Sequence, residues 1–268
     1  MAPERCQHCQ GAVLLTGTTL ILGGLITLLT VSLIPFINLF FKEQEKKEIE
    51  NNVKEVVQEK ESKKEGKKQE SSTLSFAELK QMNSDLVAIM YIPNTDIYLP
   101  IVQTANNEYY LKHNFYKNYD EQGSIYMDAK ASADFGSKNT FIYGHSVLGT
   151  GGMFTFLKNY MSASYYQQHP IIKIMTEEKL YDAHIVSAYK DVDTSASYQT
   201  NITDDVSYTS YIDVIAGKSN YVTNVQATTD KNMVTFYTCS LDGITNNSQL
   251  ASTKDRYYIH AVLEVINE

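Results

Sequence analysis

The chain has 268 residues, enough for one sizeable folded domain and some attached segments. It carries 23 basic and 31 acidic residues, a net charge of −8, which disfavours nucleic-acid binding because Lys and Arg contacts to phosphates supply most of that affinity. Of its three cysteines, only Cys239 lies after residue 9. With a single cysteine, the polar part of the chain can form neither an internal disulfide nor a cysteine-rich metal site.

Residues 1–11 form a short polar tail that contains Cys6 and Cys9, with His8 between them. A lone cysteine pair of this spacing supplies at most half of a zinc site. We interpret the two thiols as a reduced cytoplasmic pair, and a bound metal or an attached lipid stays open as the alternative.

The run over residues 12–41 contains no charged side chain. At about 1.5 Å per residue, a helix of this length can cross a hydrocarbon layer of about 30 Å. A cleavable signal peptide would have a shorter apolar region, about 7–15 residues, followed by a small-residue cleavage motif. The sequence therefore predicts a retained transmembrane anchor, and Pro35 and Asn38 indicate that the span ends near Ile34. The flanking charges are mixed and do not decide its orientation.

Residues 42–70 contain nine Lys and nine Glu, so their charges cancel. Opposite charges three or four positions apart support a solvated helix, and we identify no apolar stripe that would bury it. We predict a spacer, part helix and part disordered, between the anchor and a globular domain at residues 71–268.

Short strands separated by turns and a few helices are predicted along the globular domain. Pro100 is expected at an edge or a bulge, because proline cannot donate to a strand ladder. The pattern is typical of a mainly β protein, a β-barrel with peripheral helices. The predicted strands are 86–91, 97–102, 123–128, 140–145, 171–175, 180–189, 232–239 and 256–265, and the predicted helical segments are 75–80, 106–114, 155–166 and 208–219.

Three side chains at predicted strand ends have the chemistry of acyl transfer. Cys239 ends the strand 232–239, His145 follows Gly144 at the end of another, and Arg256 opens the last. A sulfur can attack a carbonyl, an imidazole can move the proton, and a fixed cation can stabilise the oxyanion. A buried apolar cysteine or an accidental free thiol is the alternative for Cys239.

Several sequence blocks resemble those of class B sortases, cysteine transpeptidases of the Gram-positive cell surface. They follow in family order across residues 80–265, namely 83–95, 107–116, 123–128, 143–145, 238–240 and Arg256. The resemblance implies a closed sortase barrel preceded by a transmembrane helix, with the N-terminus in the cytoplasm and the catalytic domain outside the cell. The helix before the cysteine strand is a feature associated with class B.

The resemblance also implies a mechanism. Cys239 would attack the carbonyl of a Thr in a C-terminal sorting motif, and His145 would protonate the leaving amine. An amine of the cell wall precursor would then resolve the thioester, while Arg256 would donate hydrogen bonds to the oxyanion. A salt bridge to Asp255 or another carboxylate is the rival role for Arg256. Tyr237 and Thr238 are expected to line the peptide groove.

Other assignments remain open from the sequence. A Lys amine of a pilin subunit, or water, could replace the cell wall amine, and a non-catalytic binding module on the same fold is a further alternative. The chemistry requires no cofactor, and we predict no metal site. The histidines at 113, 169, 184 and 260 are expected to be structural, and the polar connection 241–255 is longer than is usual in the family.

Overall fold

The structure is a computed structural model that describes residues 12–64, 74–149 and 151–266. Side chains of the first helix are described from Leu33 onward, except at positions 35, 63 and 64. The tail at residues 1–11, and with it Cys6 and Cys9, lies outside the described residues. So does the predicted boundary between spacer and globular domain at residue 71.

Eight strands and five α-helices make up the described chain. The strands are β1 Leu86–Tyr91, β2 Tyr98–Val102, β3 Ile125–Met127, β4 Asn139–Tyr143, β5 Ile171–Met175, β6 Leu180–Val192, β7 Met233–Cys239 and β8 Asp255–Val265. The helices are α1 Ala12–Lys64, α2 Phe76–Met82, α3 Ala163–Gln168, α4 Asp205–Lys218 and α5 Asn247–Ser252. Two segments, Tyr109–Leu111 and Phe154–Met161, are 3₁₀ helices.

The strands close into a barrel in the order β1-β2-β3-β4-β7-β8-β6-β5. Two neighbouring pairs, β2–β3 and β4–β7, are parallel, and the other pairs are antiparallel. The predicted β-barrel with peripheral helices is confirmed. The parallel pairing of β4 with β7 matters most for function, because parallel neighbours bring the ends of both strands to the same rim.

Residues of the strands alternate between two hydrophobic clusters, as the period of two in a β-strand requires. One cluster includes Ala88, Met90, Ile142, Val234, Phe236 and Ile259, and the other includes Ile89, Tyr91, Phe141, Tyr143, Met233 and Tyr258. Helices α1, α2 and α4 contribute to the second cluster through Val53, Leu79 and Tyr208. Since the interior of an eight-stranded barrel is only wide enough for side chains, the second cluster lies on the outer face.

The expectation that no apolar stripe would bury the charged spacer is wrong for its central part. Ile49, Val53, Val56 and Val57 of α1 are buried in the outer cluster, at the spacing that puts residues on one face of a helix. At the flanks of this stripe, Lys54 binds Asp96 at 2.8 Å and Glu61 accepts a hydrogen bond from the Tyr91 hydroxyl at 3.0 Å. Four apolar residues are enough to bury one face of this helix, because the charged side chains occupy its other faces.

Most predicted elements are found within a few residues of their expected bounds. The hairpin of β5 and β6 turns at Glu177 and Glu178 as predicted, whereas the helix expected over 155–166 is divided at Ser162 into a 3₁₀ helix and α3. Pro100 pairs with Ile89 of β1 and lies one residue before the first β2 residue that pairs with β3, so on that side it is at a local edge, as expected. Helix α5 was not predicted.

Among the residues that the structure describes, no helix is both long and apolar enough to cross a membrane. Most side chains of the predicted span over residues 12–41 lie outside that description. The anchor therefore stays a prediction.

A fully buried histidine, His260, joins three elements on the outer face. Thr235 donates to the Asn139 side chain at 2.8 Å, so its oxygen is left to accept from the His260 Nδ1–H at 2.9 Å. The Tyr189 hydroxyl then donates to Nε2 at 2.9 Å. Burial lowers the pKa of His260 to about 3, and the Lys218 charge acts in the same direction. The imidazole is therefore neutral in the folded protein.

This neutral histidine predicts a pH dependence of stability. A folded pKa below the unfolded value gives stability that is complete above about pH 6.5 and is lost as the pH falls towards the folded pKa. Between pH 6.5 and 4.5 the free energy of unfolding should fall by roughly 2 kcal/mol more in the wild type than in His260→Gln. Urea unfolding at several pH values measures this difference, with His184→Gln as the control. Equal slopes in the wild type and His260→Gln would contradict the assignment.

Candidate active site

Strand β7 lies between the two elements that carry the other candidate residues. Along β8, Cys239 is paired directly with Arg256. Along β4, the register runs from Asn139 opposite Met233 to Tyr143 opposite Tyr237. Two further residues in the same register bring His145 opposite Cys239. Since neighbouring strands are about 4.8 Å apart, the imidazole, the thiol and the guanidinium start from three adjacent positions at one rim of the barrel.

Hydrogen bonds tie the chain around His145 to the end of β7. The Thr238 hydroxyl donates to the Gly144 carbonyl at 2.6 Å, and the Ser146 hydroxyl donates to the Cys239 carbonyl at 2.6 Å. Only glycine fits at position 144, because a Cβ there would lie 2.4 Å from the Ile125 side chain and 2.9 Å from the Phe154 ring. The residues on both sides of His145 are thus fixed relative to the cysteine.

This arrangement changes the interpretation of Thr238. Its side chain is buried and donates to the Gly144 carbonyl, and its hydroxyl oxygen lies 3.0 Å from that of Ser146. These contacts argue against the predicted contact with substrate. Tyr237 is half-buried on the outer face, and its contact with the peptide stays a prediction.

His145 has a partner that the sequence did not reveal. Its Nε2 lies 3.0 Å from the Leu111 carbonyl, in the 3₁₀ helix Tyr109–Leu111. A carbonyl can only accept, so Nε2 carries the hydrogen and Nδ1 is the nitrogen left to exchange protons. The Asn106 side chain accepts from the backbone N–H groups of residues 108 and 109, which fixes this short helix. The aromatic block after Asn106 was the available signal, but spacing alone could not show which carbonyl it presents.

Arg256 is held by backbone carbonyls and by one carboxylate. Its Nη1 donates to the Thr253 carbonyl at 2.8 Å and to the Asp255 carbonyl at 3.0 Å, and its Nη2 lies 3.5 Å from the Asp193 carboxylate. The salt bridge considered from the sequence is present, and the carboxylate that forms it is Asp193 and not Asp255. A guanidinium has five N–H groups, so these three contacts are compatible with a further acceptor.

Cys239 is half-buried and is a free thiol. Burial raises its pKa, because the thiolate is poorly solvated there; the Arg256 charge lowers the pKa and the Asp193 charge raises it. The burial effect is the largest, so the resting group at neutral pH is mainly the thiol. A neighbouring base is therefore needed to form the nucleophile, and His145 is the imidazole in register with it.

A row of tyrosines lies directly below the candidate residues on the outer face. The register places Tyr143, Tyr237, Tyr258 and Tyr189 side by side on β4, β7, β8 and β6. Successive ring centroids are 5.8, 5.0 and 5.5 Å apart, distances at which aromatic rings attract each other. The row contains four of the 20 tyrosines of the chain, and it supports the reactive rim.

A fifth tyrosine, Tyr198, covers this row from the connection between β6 and α4. Its ring lies 5.3 Å from Tyr237, and its hydroxyl is 3.0 Å from that of Tyr143, which donates to buried Asp128 at 2.7 Å. Tyr198 therefore packs beside the candidate residues, a position that the sequence did not reveal. Nothing in the local sequence distinguishes it from the other tyrosines of the chain.

Among the described residues, no group of three or more His, Cys, Asp or Glu could hold a metal ion. The rim instead has one thiol, one imidazole and one guanidinium. That set can carry out acyl transfer through a covalent thioester, with the imidazole exchanging protons.

Comparisons with known proteins agree with this chemistry. The family model described as Sortase domain matches residues 90–264, well over half of the chain.

The chain belongs to the sortase family.

Its similarity is to class B members. It is 30% identical over 171 residues to sortase B of Staphylococcus aureus, covering 64% of this chain and 70% of that one. The solved S. aureus sortase B–substrate complex has a TM-score of 0.70 at 24% identity, over 84% of this chain and 99% of that one. A sortase B complexed with triglycine has a TM-score of 0.70 at 26% identity, over 84% of this chain and 100% of that one. Sortases are cysteine transpeptidases that attach proteins to the cell wall, and the chain is an enzyme of this class.

In this sortase, the long connection 241–255 is fixed near its two ends. The Tyr257 hydroxyl donates to Asp242 at 2.8 Å, and Lys190 lies 3.1 Å from Asp242 and 3.6 Å from Asp255. Between these points stands α5, which has no buried residue. The connection therefore carries a short exposed helix and leaves the start of β8, with Arg256, in place.

The electrostatics of the sortase site predict the effect of removing its cation. Arg256→Gln should raise the pKa of Cys239 further, because the charge that favours the thiolate is lost. Alkylation by iodoacetamide at pH 8 should slow by about three- to tenfold. Lys231→Gln, which removes one cation beside Glu264, is the matched control and should keep the wild-type rate. Identical pH profiles for Arg256→Gln and the wild type would contradict this account of the thiol.

Proposed function

We propose that Cys239, His145 and Arg256 carry out the transpeptidation. His145 takes the proton of the Cys239 thiol, the thiolate attacks the carbonyl carbon of the Thr in a sorting motif, and a C–S bond forms. The C–N bond then breaks while His145 gives a proton to the leaving amine, and a thioester remains on Cys239. The acceptor amine attacks the thioester and loses a proton to His145. A new amide bond forms as the C–S bond breaks and the thiolate is released.

One observation carries this proposal: Cys239 is next to Arg256 in the strand register and next to His145 in its continuation. An attacking sulfur therefore has a proton carrier on one side and a cation on the other. The guanidinium can stabilise the negative charge that develops on the carbonyl oxygen, and such electrostatic stabilisation is usually the largest single contribution to acyl transfer.

The substrates are proposed from chemistry and similarity together. A sorting-motif peptide would lie along the outer face beside Tyr237 and Tyr198, with its Thr carbonyl above Cys239. The solved sortase B structures with a substrate and with triglycine support a peptide donor and an amine acceptor. We therefore infer that the acceptor here is an amine of the cell wall precursor.

We further propose that residues 12–41 anchor the enzyme in the cell membrane, with the N-terminus in the cytoplasm and the catalytic domain outside. The run has no charge. In the described part of α1, Leu33, Ile34, Phe36, Ile37, Leu39, Phe40 and Phe41 are exposed, which is costly in water and favourable in lipid.

Full-length protein incubated with a panel of sorting peptides and amines tests the proposal, with products identified by mass spectrometry. We expect cleavage after Thr and a product joined to the added glycine-type amine. Cys239→Ala, His145→Ala and Arg256→Ala should each lower the rate by at least about a hundredfold. His184→Ala, a histidine of β6 that pairs with Glu264, is the matched control and should keep the wild-type rate.

The acceptor arms of this assay separate the remaining alternatives. Product joined to a Lys side chain of a pilin fragment, in preference to a glycine-type amine, would favour a pilin polymerase. If the amount of product with a free carboxylate does not decrease when amines are added, the enzyme is a hydrolase. Full transfer activity in Cys239→Ala would contradict the proposed mechanism in every form.

A further inference from the structure

The segment that follows β6 is fixed against the start of β8. Asp193 donates its backbone N–H to the Lys254 carbonyl at 2.8 Å, which continues the pairing of Val192 with Asp255. The chain then turns, with the Ser195 N–H donating to the Val192 carbonyl at 3.1 Å. The position of the Asp193 backbone relative to Arg256 is thus set by main-chain hydrogen bonds.

A lysine at the end of α4 fixes the same turn from the other side. Lys218 Nζ donates to Asp191 at 2.5 Å, to Ser195 at 2.8 Å and to Ser197 at 3.1 Å. Ser195 also donates to Asp191 at 2.6 Å, and Ser197 is fully buried. The Asp191 carboxylate, which faces Arg256 across the β6–β8 register, is therefore bound to Lys218 and Ser195.

The neighbouring carboxylate, Asp193, lies against the guanidinium instead. Its Oδ2 is 3.5 Å from Arg256 Nη2 and 3.6 Å from Lys254 Nζ. The Arg256 and Asp193 side chains are only 16% and 21% exposed, whereas Lys254 is 76% exposed. Solvent screens the lysine pair strongly, so Arg256 is the partner that Asp193 affects most.

Four ionisable groups bear on the Cys239 thiol. Arg256 is paired with Cys239 on β8, and His145 follows β4 in register with it. Tyr126 of β3 and Asp193 of the turn after β6 interact with the thiol through charge. Arg256 lowers the pKa of the thiol, whereas Asp193 raises it. Geometry and charge therefore give Asp193 two effects: it orients the guanidinium and offsets part of its charge.

Accepting Arg256 as the oxyanion donor of the proposed function, we propose that Asp193 is a positioning residue that holds the guanidinium beside Cys239 and offsets part of its positive charge. Without this carboxylate, the guanidinium would pair with a Cys239 thiolate before substrate arrives. That pairing would stabilise the ground state and compete with the oxyanion for the same N–H groups, which slows the chemical step. With Asp193 in place, the cation is fixed and its attraction for the thiolate is reduced.

Asp193→Asn tests the effect on the thiol. The substitution keeps the shape of the side chain and removes its charge, while Arg256 keeps its bonds to the Thr253 and Asp255 carbonyls. The pH midpoint of Cys239 alkylation in the full-length protein should fall by about half a unit or more. Asp96→Asn, which removes one carboxylate from a surface pair with Lys54, is the matched control and should leave the midpoint unchanged. An unchanged midpoint in Asp193→Asn would overturn the proposal.

The transfer reaction provides the second measurement. Asp193→Asn should lower kcat by about tenfold with KM within about twofold, because Arg256 is then less available to the oxyanion of the transition state. Asp193→Glu restores the charge and should recover most of the rate and the wild-type midpoint. A rate in Asp193→Asn within about twofold of the wild type would overturn the positioning role, and circular dichroism verifies that each variant is folded.

The two measurements also separate this inference from the proposed function. Alkylation needs no peptide substrate, so the midpoint shift decides whether Asp193 controls Cys239 even if no sorting peptide is cleaved. Absence of transfer product with the wild type would count against the proposed function alone. A wild-type enzyme that transfers normally, combined with an Asp193→Asn variant that matches it in both measurements, would count against Asp193 alone.

Discussion

The pairing of β7 with its two neighbours is the constraint on which the rest of the structure depends. A parallel partner on one side and an antiparallel partner on the other bring the end of β4, the end of β7 and the start of β8 to one rim. Three residues distant in sequence, His145, Cys239 and Arg256, thereby start from adjacent positions. A shift of one residue in either register would move a side chain to the other face of the sheet and separate the three groups.

The surroundings of the rim explain why this register is held so firmly. Below it, the tyrosine row packs ring against ring, and below that His260 links Thr235 of β7 to Tyr189 of β6. The same burial that stabilises these strands disfavours the Cys239 thiolate. The reactive group is therefore a thiol at rest, and its activation requires the imidazole and the guanidinium that the register supplies.

Much of the fold could be predicted because strand periodicity and turn residues are local properties. The positions of Cys239, His145 and Arg256 at strand ends followed from the same patterns together with the family blocks. The contacts to Leu111 and Asp193 could not be predicted, because they join segments 34 and 63 residues apart and depend on the barrel closing. The buried stripe of α1 was not predicted for a related reason. Four apolar residues among many charges do not indicate burial until the outer face of β1, against which they pack, is known.

The most direct measurement of the central claim is a crystal structure of the enzyme with a sorting-peptide analogue bound covalently to Cys239. We predict that the oxygen derived from the Thr carbonyl lies within about 3 Å of an Arg256 nitrogen, with His145 Nδ1 turned towards the position of the leaving amine. An oxygen directed away from Arg256, with the imidazole out of hydrogen-bonding reach of the sulfur and the leaving group, would contradict it.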